Sequence, residues 1–508
     1  MRTTKRVLNI IHIASEVDPL SKRGGLADVV ESLPKALKAL GHDVCLFTPL
    51  YGSIDRQQFH LQNIKNDIPL KIDATTSVSF HIWKGELPSG ITVFFIDNHE
   101  YFGRYKTIYL SEEGSIADNA RFLFFDLAVL KVIIELNLKP DILHCHDYQS
   151  GLVPYFLKYR FRKSKFFKNT ATVFTIHNLV FQLGRNWWEV PPELKDDGRL
   201  KLPLMTAVDQ ISAINFMKRA ILTADMVNTV SEQYALEVLT PEVGQNLYRL
   251  LNSKYDTGRF IGIVNGIDYN EYNPETDPGL FRKFSIDTLQ LKQENKIGLQ
   301  KMFRLPLNPL IPVIGSTSRI AEQKGFDLVM RVVETFAHLP LQLILFGDGG
   351  REYISFFKNI ARRYPKKIAI QPFESQDETK ILAGSDMFLL PSRFEPCGLG
   401  QLKSLRYGSI PIVRATGGLI DTVTNYDPRT QKGNGFVFRS YNSKHLLVAV
   451  VRAMENFKYA KEWNALVKRG MQLSFSWALP AKKYVKLYRH ALHVKNGSDA
   501  VDVYSENT

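Results

Sequence analysis

Short apolar segments alternate with longer amphipathic ones along most of this 508-residue chain. Apolar runs rich in β-branched residues predict buried strands, and apolar positions at helical spacing predict helices. In the first half we expect strands at residues 7–14, 44–48, 92–96, 142–144, 172–175, 226–230 and 262–264, with helices such as 25–40 and 120–136 between them. In the second half we expect strands at residues 312–316, 341–346, 368–371, 387–390 and 410–413. This rhythm predicts parallel α/β layers.

The alternation restarts after a turn signal at residues 265–268, which leads into a polar segment containing prolines. Because the chain is too long for one compact core, we predict two domains. The predicted fold class is α/β, with two Rossmann-like, doubly wound parallel-sheet domains facing across a cleft. The predicted boundaries are residues 1–263 and 264–477, followed by a helix at 478–494 and a frayed tail at 495–508.

The formal net charge of +14 is compatible with nucleic acid, an acidic membrane face or a phosphorylated small molecule as partner. The densest basic run, residues 159–168, interleaves aromatic side chains with cations. We interpret it as a solvated helix end and predict no nucleic-acid partner. The apolar run at residues 7–13 is too short to span a bilayer, so we predict no membrane insertion.

The cysteines Cys45, Cys145 and Cys397 lie far apart and show no CxxC spacing. This pattern predicts neither a disulfide framework nor a zinc site, and it favours a cytoplasmic protein. His146 and Asp147 are adjacent, but no further ligands stand at a suitable spacing, so we predict no required metal.

Candidate phosphate-binding groups follow strands in both halves. Lys22, Gly24 and Gly25 open a predicted helix, where backbone amides and an ammonium group can receive phosphate oxygens, although such a turn alone is more often structural. Arg319 and Lys324 follow a strand in the second half, and their positive charges would compensate a diphosphate leaving group.

Residues 391–399 form the third candidate segment, between an apolar strand and a helix. Here Pro396 and Gly398 shape a turn, the helix amides add positive potential, and Glu395 supplies a carboxylate. Glu395 in isolation would be an ordinary first-turn charge. Together with the two cations and the first-half loop, it predicts a site for a phosphorylated substrate.

These motifs resemble the bacterial and plant glycogen and starch synthases, which are retaining two-lobed glycosyltransferases of the GT-B fold. The resemblance covers nearly the whole chain, and its motifs occur in order at residues 22–29, 144–147, 174–179, 215–218, 264–268, 274–277, 318–325, 391–399, 416–423 and 475–477. It implies transfer of glucose from ADP-glucose to the non-reducing end of an α-1,4-glucan with retention, with UDP-glucose left open as donor. It implies no cofactor besides the donor.

The resemblance also implies two sets of site residues. The catalytic set is Glu395, His177, Arg319, Lys324 and Asp147. The donor-binding set is Lys22, Gly24, Gly25, Phe373, Cys397, Gly398 and Leu399.

Roles are implied for most members of these sets. Arg319 and Lys324 neutralise the diphosphate as it leaves, and Glu395 lies by the donor glucose. His177 and Asp147 line the sugar site from the first domain. His177 alone could also be a buried histidine that satisfies backbone groups. Phe373 falls where the family stacks an aromatic ring on adenine.

Four features depart from the family pattern, one of which is a Gly-rich segment reduced here to residues 243–245. Arg23 and Gly400 each stand where a threonine is usual, and Leu183 interrupts a common aromatic-Gln-Gly sequence. Two alternatives therefore stay open. One is a related transferase with another acceptor. The other is a catalytically weakened scaffold that binds glucan or nucleotide sugar.

Overall fold

The computed structural model describes residues 6–113, 115–161, 163–198 and 201–497. These residues form two compact units. The first lies within Met1–Val230, Ala235–Ile263 and Trp477–Thr508, and the second comprises Ser231–Tyr234 and Val264–Ser476.

The first unit contains a nine-stranded sheet. Its strands are β1 (Asn9–Ile13), β2 (Asp43–Pro49), β3 (Gln62–Lys71), β4 (Ser77–Glu86), β5 (Thr92–Asp97), β6 (Ile142–His146), β7 (Ala171–Ile176), β8 (Met226–Thr229) and β9 (Phe260–Gly262). Their order across the sheet is β3-β4-β5-β2-β1-β6-β7-β8-β9. The pairs β3/β4 and β4/β5 are antiparallel, and all other neighbours are parallel.

Eight α-helices of the described residues lie between successive strands of this sheet. They are α1 (Gly25–Ala39), α2 (Asp118–Glu135), α3 (Leu152–Tyr159), α4 (Val208–Ala213), α5 (Phe216–Thr223), α6 (Glu232–Glu237), α7 (Pro241–Gly244) and α8 (Tyr248–Asp256). The buried face of α1 includes Val29, Leu33 and Leu37, which pack in one core cluster with Ile10 of β1. This packing fixes the loop between β1 and α1.

The second unit contains a six-stranded, fully parallel sheet of order β12-β11-β10-β13-β14-β15. Its strands are β10 (Val313–Thr317), β11 (Gln342–Phe346), β12 (Ile368–Gln371), β13 (Met387–Leu390), β14 (Ile410–Arg414) and β15 (Phe436–Phe438). Its helices are α9 (Lys292–Met302), α10 (Phe326–His338), α11 (Arg351–Arg363), α12 (Glu378–Gly384), α13 (Gly400–Arg406), α14 (Gly418–Thr422), α15 (Ser443–Phe457) and α16 (Ala460–Gln472).

The final helix, α17 (Ala478–Lys495), belongs to the first unit. Its buried residues Tyr484, Leu487 and Tyr488 share a core cluster with Ile142 and Val173, which lie on two neighbouring strands. Of the predicted tail at 495–508, residues 498–508 lie outside the described part of the chain. Among the described residues, no helix combines the length and apolarity that crossing a membrane requires.

The prediction of two parallel α/β sheets is confirmed. Each predicted strand is present, with ends displaced by at most two residues. The sequence analysis missed three strands. Edge strand β3 is largely exposed and contains Pro69, and it pairs with β4 through register shifts, so neither strand shows the simple buried pattern. Strand β15 has three residues, too few for a periodic signal.

Candidate active site

A chain of histidine side chains crosses the carboxyl ends of three strands in the first unit. The Nδ1 atom of His12 in β1 lies 2.9 Å from Nε2 of His146 in β6. The Nδ1 atom of His146 lies 3.0 Å from Nε2 of His177, which follows β7. His12 and His146 are fully buried, whereas His177 is half-buried. Parallel pairing of these strands brings residues remote in sequence together.

Burial determines the charge state of these rings. It lowers the pKa of His12 and of His177 to about 3. Burial, with repulsion among the neighbouring histidines, lowers the pKa of His144 and His146 well below the usual value. All four imidazoles are therefore neutral near pH 7, and each offers one donor and one acceptor nitrogen.

Asp147 lies beside His177 at the end of β6. Its backbone has a φ of 55°, and its Oδ1 atom accepts a 2.7 Å hydrogen bond from the His177 backbone N–H. Burial raises the pKa of the carboxyl to about 7, against the opposing effect of backbone hydrogen bonds from His177 and Asn178. The hydrogen bond from the His177 N–H to Asp147 joins the segments after β6 and β7, and the surrounding structure holds Asp147 in its strained backbone conformation.

The buried histidines also bear on the question of a metal. The ligand nitrogens of His12, His144 and His146 lie within 4.8 Å of one another. Both nitrogens of His144 are engaged, by the hydroxyls of Tyr488 and Thr175, and both nitrogens of His146 are engaged by histidines. A metal bound here would have to displace these hydrogen bonds. The absence of a required metal stays a prediction.

The loop that holds Lys22, Gly24 and Gly25 is organised around Glu16. Its Oε2 atom accepts hydrogen bonds from the backbone N–H groups of Arg23, at 2.6 Å, and Gly24, at 2.9 Å. Burial raises the pKa of Glu16. The sequence analysis expected these amides to be open to a phosphate, but in this structure the Glu16 carboxylate occupies them.

Lys22 also has partners within the loop. Its Nζ atom lies 2.8 Å from Oδ2 of Asp18 and 3.0 Å from Oδ1 of Asp28. The ammonium group is therefore held in place by two carboxylates. A phosphate that approached it would compete with them.

In the second unit, Lys324 and Glu395 form an ion pair. The Nζ atom of Lys324 lies 2.6 Å from Oε2 of Glu395, and the hydroxyl of Ser392 donates a 2.9 Å hydrogen bond to the same oxygen. The Glu395 side chain is 7% exposed, whereas that of Lys324 is 23% exposed. The structure thus brings together two predicted site residues from the loops after β10 and β13.

Arg319 lies in the same loop as Lys324 but is exposed. Its Nη2 atom donates a 3.0 Å hydrogen bond to Oε1 of Gln323. The backbone N–H of Arg393 donates to the carbonyl of Gln323, which ties this loop to the one after β13. Arg319 is thus in the predicted loop and makes no described contact with Glu395.

Close backbone contacts fix the segment around Glu395. Gly417 has a φ of 45°, and a Cβ atom there would lie 2.0 Å from the carbonyl oxygen of Glu395. A Cβ at Gly418 would lie 2.3 Å from the carbonyl oxygen of Cys397. The Gly418 N–H donates to the Glu395 carbonyl at 3.1 Å. Only glycines permit this approach, so the turn before α14 determines where Glu395 stands.

The remaining donor-set residues lie in the second unit. Cys397 is buried, and burial raises the pKa of its thiol to about 12, so it stays a neutral thiol. Gly398 has a φ of 72°, and Leu399 is half-buried. Phe373 is 40% exposed, and its ring centroid lies 5.5 Å from that of Phe346. An exposed ring held by a second ring is suited to stacking on a planar ligand.

Several supporting residues were missed in the sequence analysis. They are Glu16, which organises the glycine loop, His12, which contacts His146, and Ser392, which donates to Glu395. His146 was considered only as a metal ligand beside Asp147, and its contact with His177 was not predicted. An available signal was their position at strand ends, beside the predicted site residues.

A cavity of about 590 Å³ in the first unit is lined by Tyr51, Arg56, His81, Asp97 and His99, among others. Its lining includes none of the predicted site residues. Arg56 pairs with Asp97 at 3.0 Å and lies over the ring of Trp83. These contacts account for Arg56 and Asp97 without a ligand.

Two family descriptions match the chain. Residues 9–253 match the starch synthase catalytic domain, and residues 300–469 match glycosyl transferases group 1. The two matches fall on the two structural units.

Relatives and solved structures extend over nearly the full length. A glycogen synthase of Pseudothermotoga lettingae is 40% identical, covering 96% of this chain and 100% of the relative. A glycogen synthase of Moorella thermoacetica is 41% identical, covering 97% and 98%. The catalytic domain of starch synthase IV from Arabidopsis thaliana, bound to ADP and acarbose, superposes with a TM-score of 0.85 at 33% identity, covering 96% of this chain and 100% of that one.

Proposed function

This chain belongs to the glycogen and starch synthase family of glycosyltransferases, and from that premise we propose that it transfers glucose from ADP-glucose to an α-1,4-glucan. The new bond forms at the non-reducing end with retention of anomeric configuration. The observation that carries the proposal is the Lys324–Glu395 pair, in which the carboxylate is buried and the ammonium partly exposed, held by Ser392 at the ends of neighbouring strands.

Charge separation is the chemical problem in this reaction. The bond between glucose C1 and the diphosphate oxygen breaks, and C1 bonds to O4 of the glucan, whose proton leaves with the phosphate. The leaving diphosphate gains negative charge while the sugar ring becomes positive. Groups fixed in advance for both charges lower the barrier.

The cations of the second unit suit the leaving group. Lys324 is partly exposed and is held by Glu395, so it is oriented yet reachable by a ligand. Arg319 is exposed on the same loop and can turn toward a phosphate. Their positive charges supply the neutralisation that a metal gives in other transferases. We propose that no metal is required.

Glu395 suits the sugar. Its Oε2 atom is engaged by Lys324 and Ser392, which fixes the carboxylate for a sugar hydroxyl. The Gly417–Gly418 turn fixes its backbone. We propose a role in binding and electrostatic stabilisation.

The first unit is proposed to supply His177 and Asp147 to the sugar and glucan. His177 is neutral and half-buried, and its backbone is fixed by Asp147. Lys22, Gly24 and Gly25 are proposed to meet the donor diphosphate. Because Asp18, Asp28 and Glu16 occupy this loop now, donor binding must rearrange those contacts.

ADP-glucose is proposed as donor because the starch synthase IV structure holds ADP and because Phe373 offers an exposed ring for a base. The nearby donor-loop residues Cys397, Gly398 and Leu399 are proposed to contact the diphosphate. The cysteine pattern favours a cytoplasmic protein: Cys45, Cys145 and Cys397 are free.

The scaffold alternative rests on Arg23 and Gly400. A Cβ at Gly400 would lie 3.1 Å from Cε1 of Phe388, so the glycine suits local packing. The Arg23 backbone N–H donates to Glu16, a contact that any residue other than proline could make. Neither position removes a group from the Lys324–Glu395 pair, and we favour the enzyme.

The donor experiment uses radiolabelled ADP-glucose and UDP-glucose in parallel, with glycogen as acceptor. We expect faster incorporation from ADP-glucose. A higher kcat/KM with UDP-glucose would overturn the donor assignment. Loss of the difference between donors in Phe373→Ala would identify the ring as the base contact, whereas Phe281→Ala, which removes another exposed ring in this unit, is the matched control.

A further inference from the structure

We propose that His12 and His146 are positioning residues that hold His177 in the tautomer with its proton on Nδ1. This inference rests on the proposed function of His177 in sugar binding. It concerns two buried residues that would not themselves touch a substrate.

The geometry limits the possible proton arrangements. The contacts His12 Nδ1 to His146 Nε2, at 2.9 Å, and His146 Nδ1 to His177 Nε2, at 3.0 Å, each need one donor and one acceptor. A neutral imidazole has one N–H and one lone pair. The three protons must therefore all be on Nδ1 or all on Nε2.

His12, the buried end of the row of three histidines, decides between these two arrangements. The Nε2 atom of His12 is buried and has no hydrogen-bond partner among the described residues. A buried N–H without a partner is rarer in folded proteins than a buried acceptor without one. Nε2 of His12 therefore carries the lone pair, and its proton is on Nδ1. The proton of His146 and that of His177 then also lie on Nδ1.

His144 packs against this chain but belongs to a separate network. Its ring centroid lies 4.1 Å from that of His146. The Thr175 hydroxyl donates to Oδ1 of Asn228 at 2.7 Å, so it accepts from Nε2–H of His144 at 2.6 Å. Nδ1 of His144 then accepts from the Tyr488 hydroxyl at 2.8 Å. His144 therefore packs against the His146 ring, whereas its hydrogen bonds go to Tyr488 and Thr175.

The consequence concerns His177, the half-buried end of the row of histidines. With Nε2 of His177 accepting from His146, Nδ1–H is the group that can donate to a sugar oxygen. The opposite arrangement would present a lone pair, which cannot donate. A donor fixed before the substrate arrives needs no reorganisation during the reaction.

The first test reads the tautomers directly. Two-bond ¹H–¹⁵N correlation spectra of ¹⁵N-histidine-labelled protein distinguish the two neutral forms, and single His→Asn variants assign the signals. We expect Nδ1–H forms for His12, His146 and His177, and the Nε2–H form for His144. An Nε2–H form at His177 in the wild-type protein would overturn the proposal.

The second test compares two substitutions at His12. His12→Asn keeps an N–H near the position of Nδ1, whereas His12→Leu removes the donor but fills the volume. We expect His12→Leu to lower kcat on the order of tenfold or more, because the His146 ring loses the hydrogen bond that orients it, as for groups that orient another functional histidine. His177 should keep the Nδ1–H form, since Nε2 of His146 then becomes the buried nitrogen without a partner and carries the lone pair. His12→Asn should retain most of the wild-type kcat. Equal losses of kcat in His12→Leu and His12→Asn would reduce His12 to a packing residue, because the N–H that Asn retains would then make no difference.

The two hypotheses fail in different ways. If the wild-type protein transfers no glucose, the proposed function fails, yet the tautomers can still be read. If transfer is normal and the tautomers are reversed, only this inference fails. Thermal melting of both variants checks that they fold.

Discussion

The Nζ atom of Lys324 lies 2.6 Å from Oε2 of Glu395, and this contact joins the loop after β10 to the loop after β13. The pair is buried on the carboxylate side and partly open on the ammonium side. Each partner therefore orients the other. In the proposed site the cation is assigned to the diphosphate and the carboxylate to the sugar.

Removing either partner should reduce turnover strongly. We expect Lys324→Ala and Glu395→Ala each to lower kcat on the order of 10²- to 10³-fold, because each removes a preorganised group. The double variant should lose less than the product of the two, since the residues are in contact. Steady-state kinetics of the four proteins measure this coupling.

Lys380→Ala is the matched control for the Lys324 and Glu395 variants. Its Nζ atom lies 2.6 Å from Asp377, with side-chain exposures of 26% and 13%, close to those of the Lys324–Glu395 pair. It lies outside the proposed site and should leave kcat within about twofold, as expected of a minor ion pair. Near-normal kcat in Lys324→Ala would refute the proposed site.

Gly417 should tolerate no side chain. Gly417→Ala combines a φ of 45° with a Cβ that would lie 2.0 Å from the Glu395 carbonyl oxygen. We expect a lower melting temperature and reduced kcat, because the backbone under Glu395 must shift. Gly41→Ala is the control, since Gly41 has a φ of 86° but nothing within 4 Å of the added Cβ. Equal melting temperatures in the two variants would show that the close approach is unimportant.

The raised pKa of the Asp147 carboxyl predicts that the stability of the folded protein depends on pH. Burial raises the pKa of its carboxyl to about 7, above the value of about 3.9 in an unfolded chain. The folded state therefore keeps a proton that the unfolded state releases. This contribution is complete below about pH 4 and is lost as the pH rises through 7. We expect the melting temperature of the wild-type protein, relative to that of Asp147→Asn, to fall between pH 5 and pH 8.

The control for Asp147 is Asp73→Asn. For Asp73, desolvation is outweighed by hydrogen bonds from backbone amides, which lower the pKa to about 2. Both folded and unfolded carboxyls are then ionised from pH 5 to pH 8, and the difference from the wild-type protein should stay constant. A constant difference for Asp147→Asn as well would contradict the raised pKa.

Chelation should leave the reaction unchanged. In the proposed site Arg319 and Lys324 supply the positive charge for the leaving group, so we expect equal kcat in EDTA and in added Mg²⁺. The measurement is glucose incorporation into glycogen under both conditions. A loss of activity in EDTA that added metal restores would point to a metal-dependent step and direct attention to the buried histidines.

The sequence was sufficient for the parallel strands other than the three-residue β15, because buried strands between helices carry a strong apolar signal. Strands β3 and β4 were not predicted, because an exposed edge hairpin is mostly polar and its register is irregular. Glu395 and Lys324 were identifiable from loop motifs after strands, although their direct pairing was not.

The contacts around the other site residues depend on distant parts of the chain. His12 and His146 are separated by 134 positions, and their contact follows from the pairing of β1 with β6. The Glu16 contact with the glycine loop depends on how residues between β1 and α1 fold back. Local patterns specify neither relationship, because both are set by tertiary packing.

The most direct test of the central claim is elongation of a maltooligosaccharide by the wild-type protein with ADP-glucose. The product is analysed by ¹H NMR for the new anomeric bond and by β-amylase, which releases maltose from non-reducing ends. The account predicts a new α-1,4-linked glucose at the non-reducing end, which β-amylase releases as part of maltose. Tight binding of ADP-glucose and of the oligosaccharide without any elongation would contradict it and leave the scaffold as the better explanation.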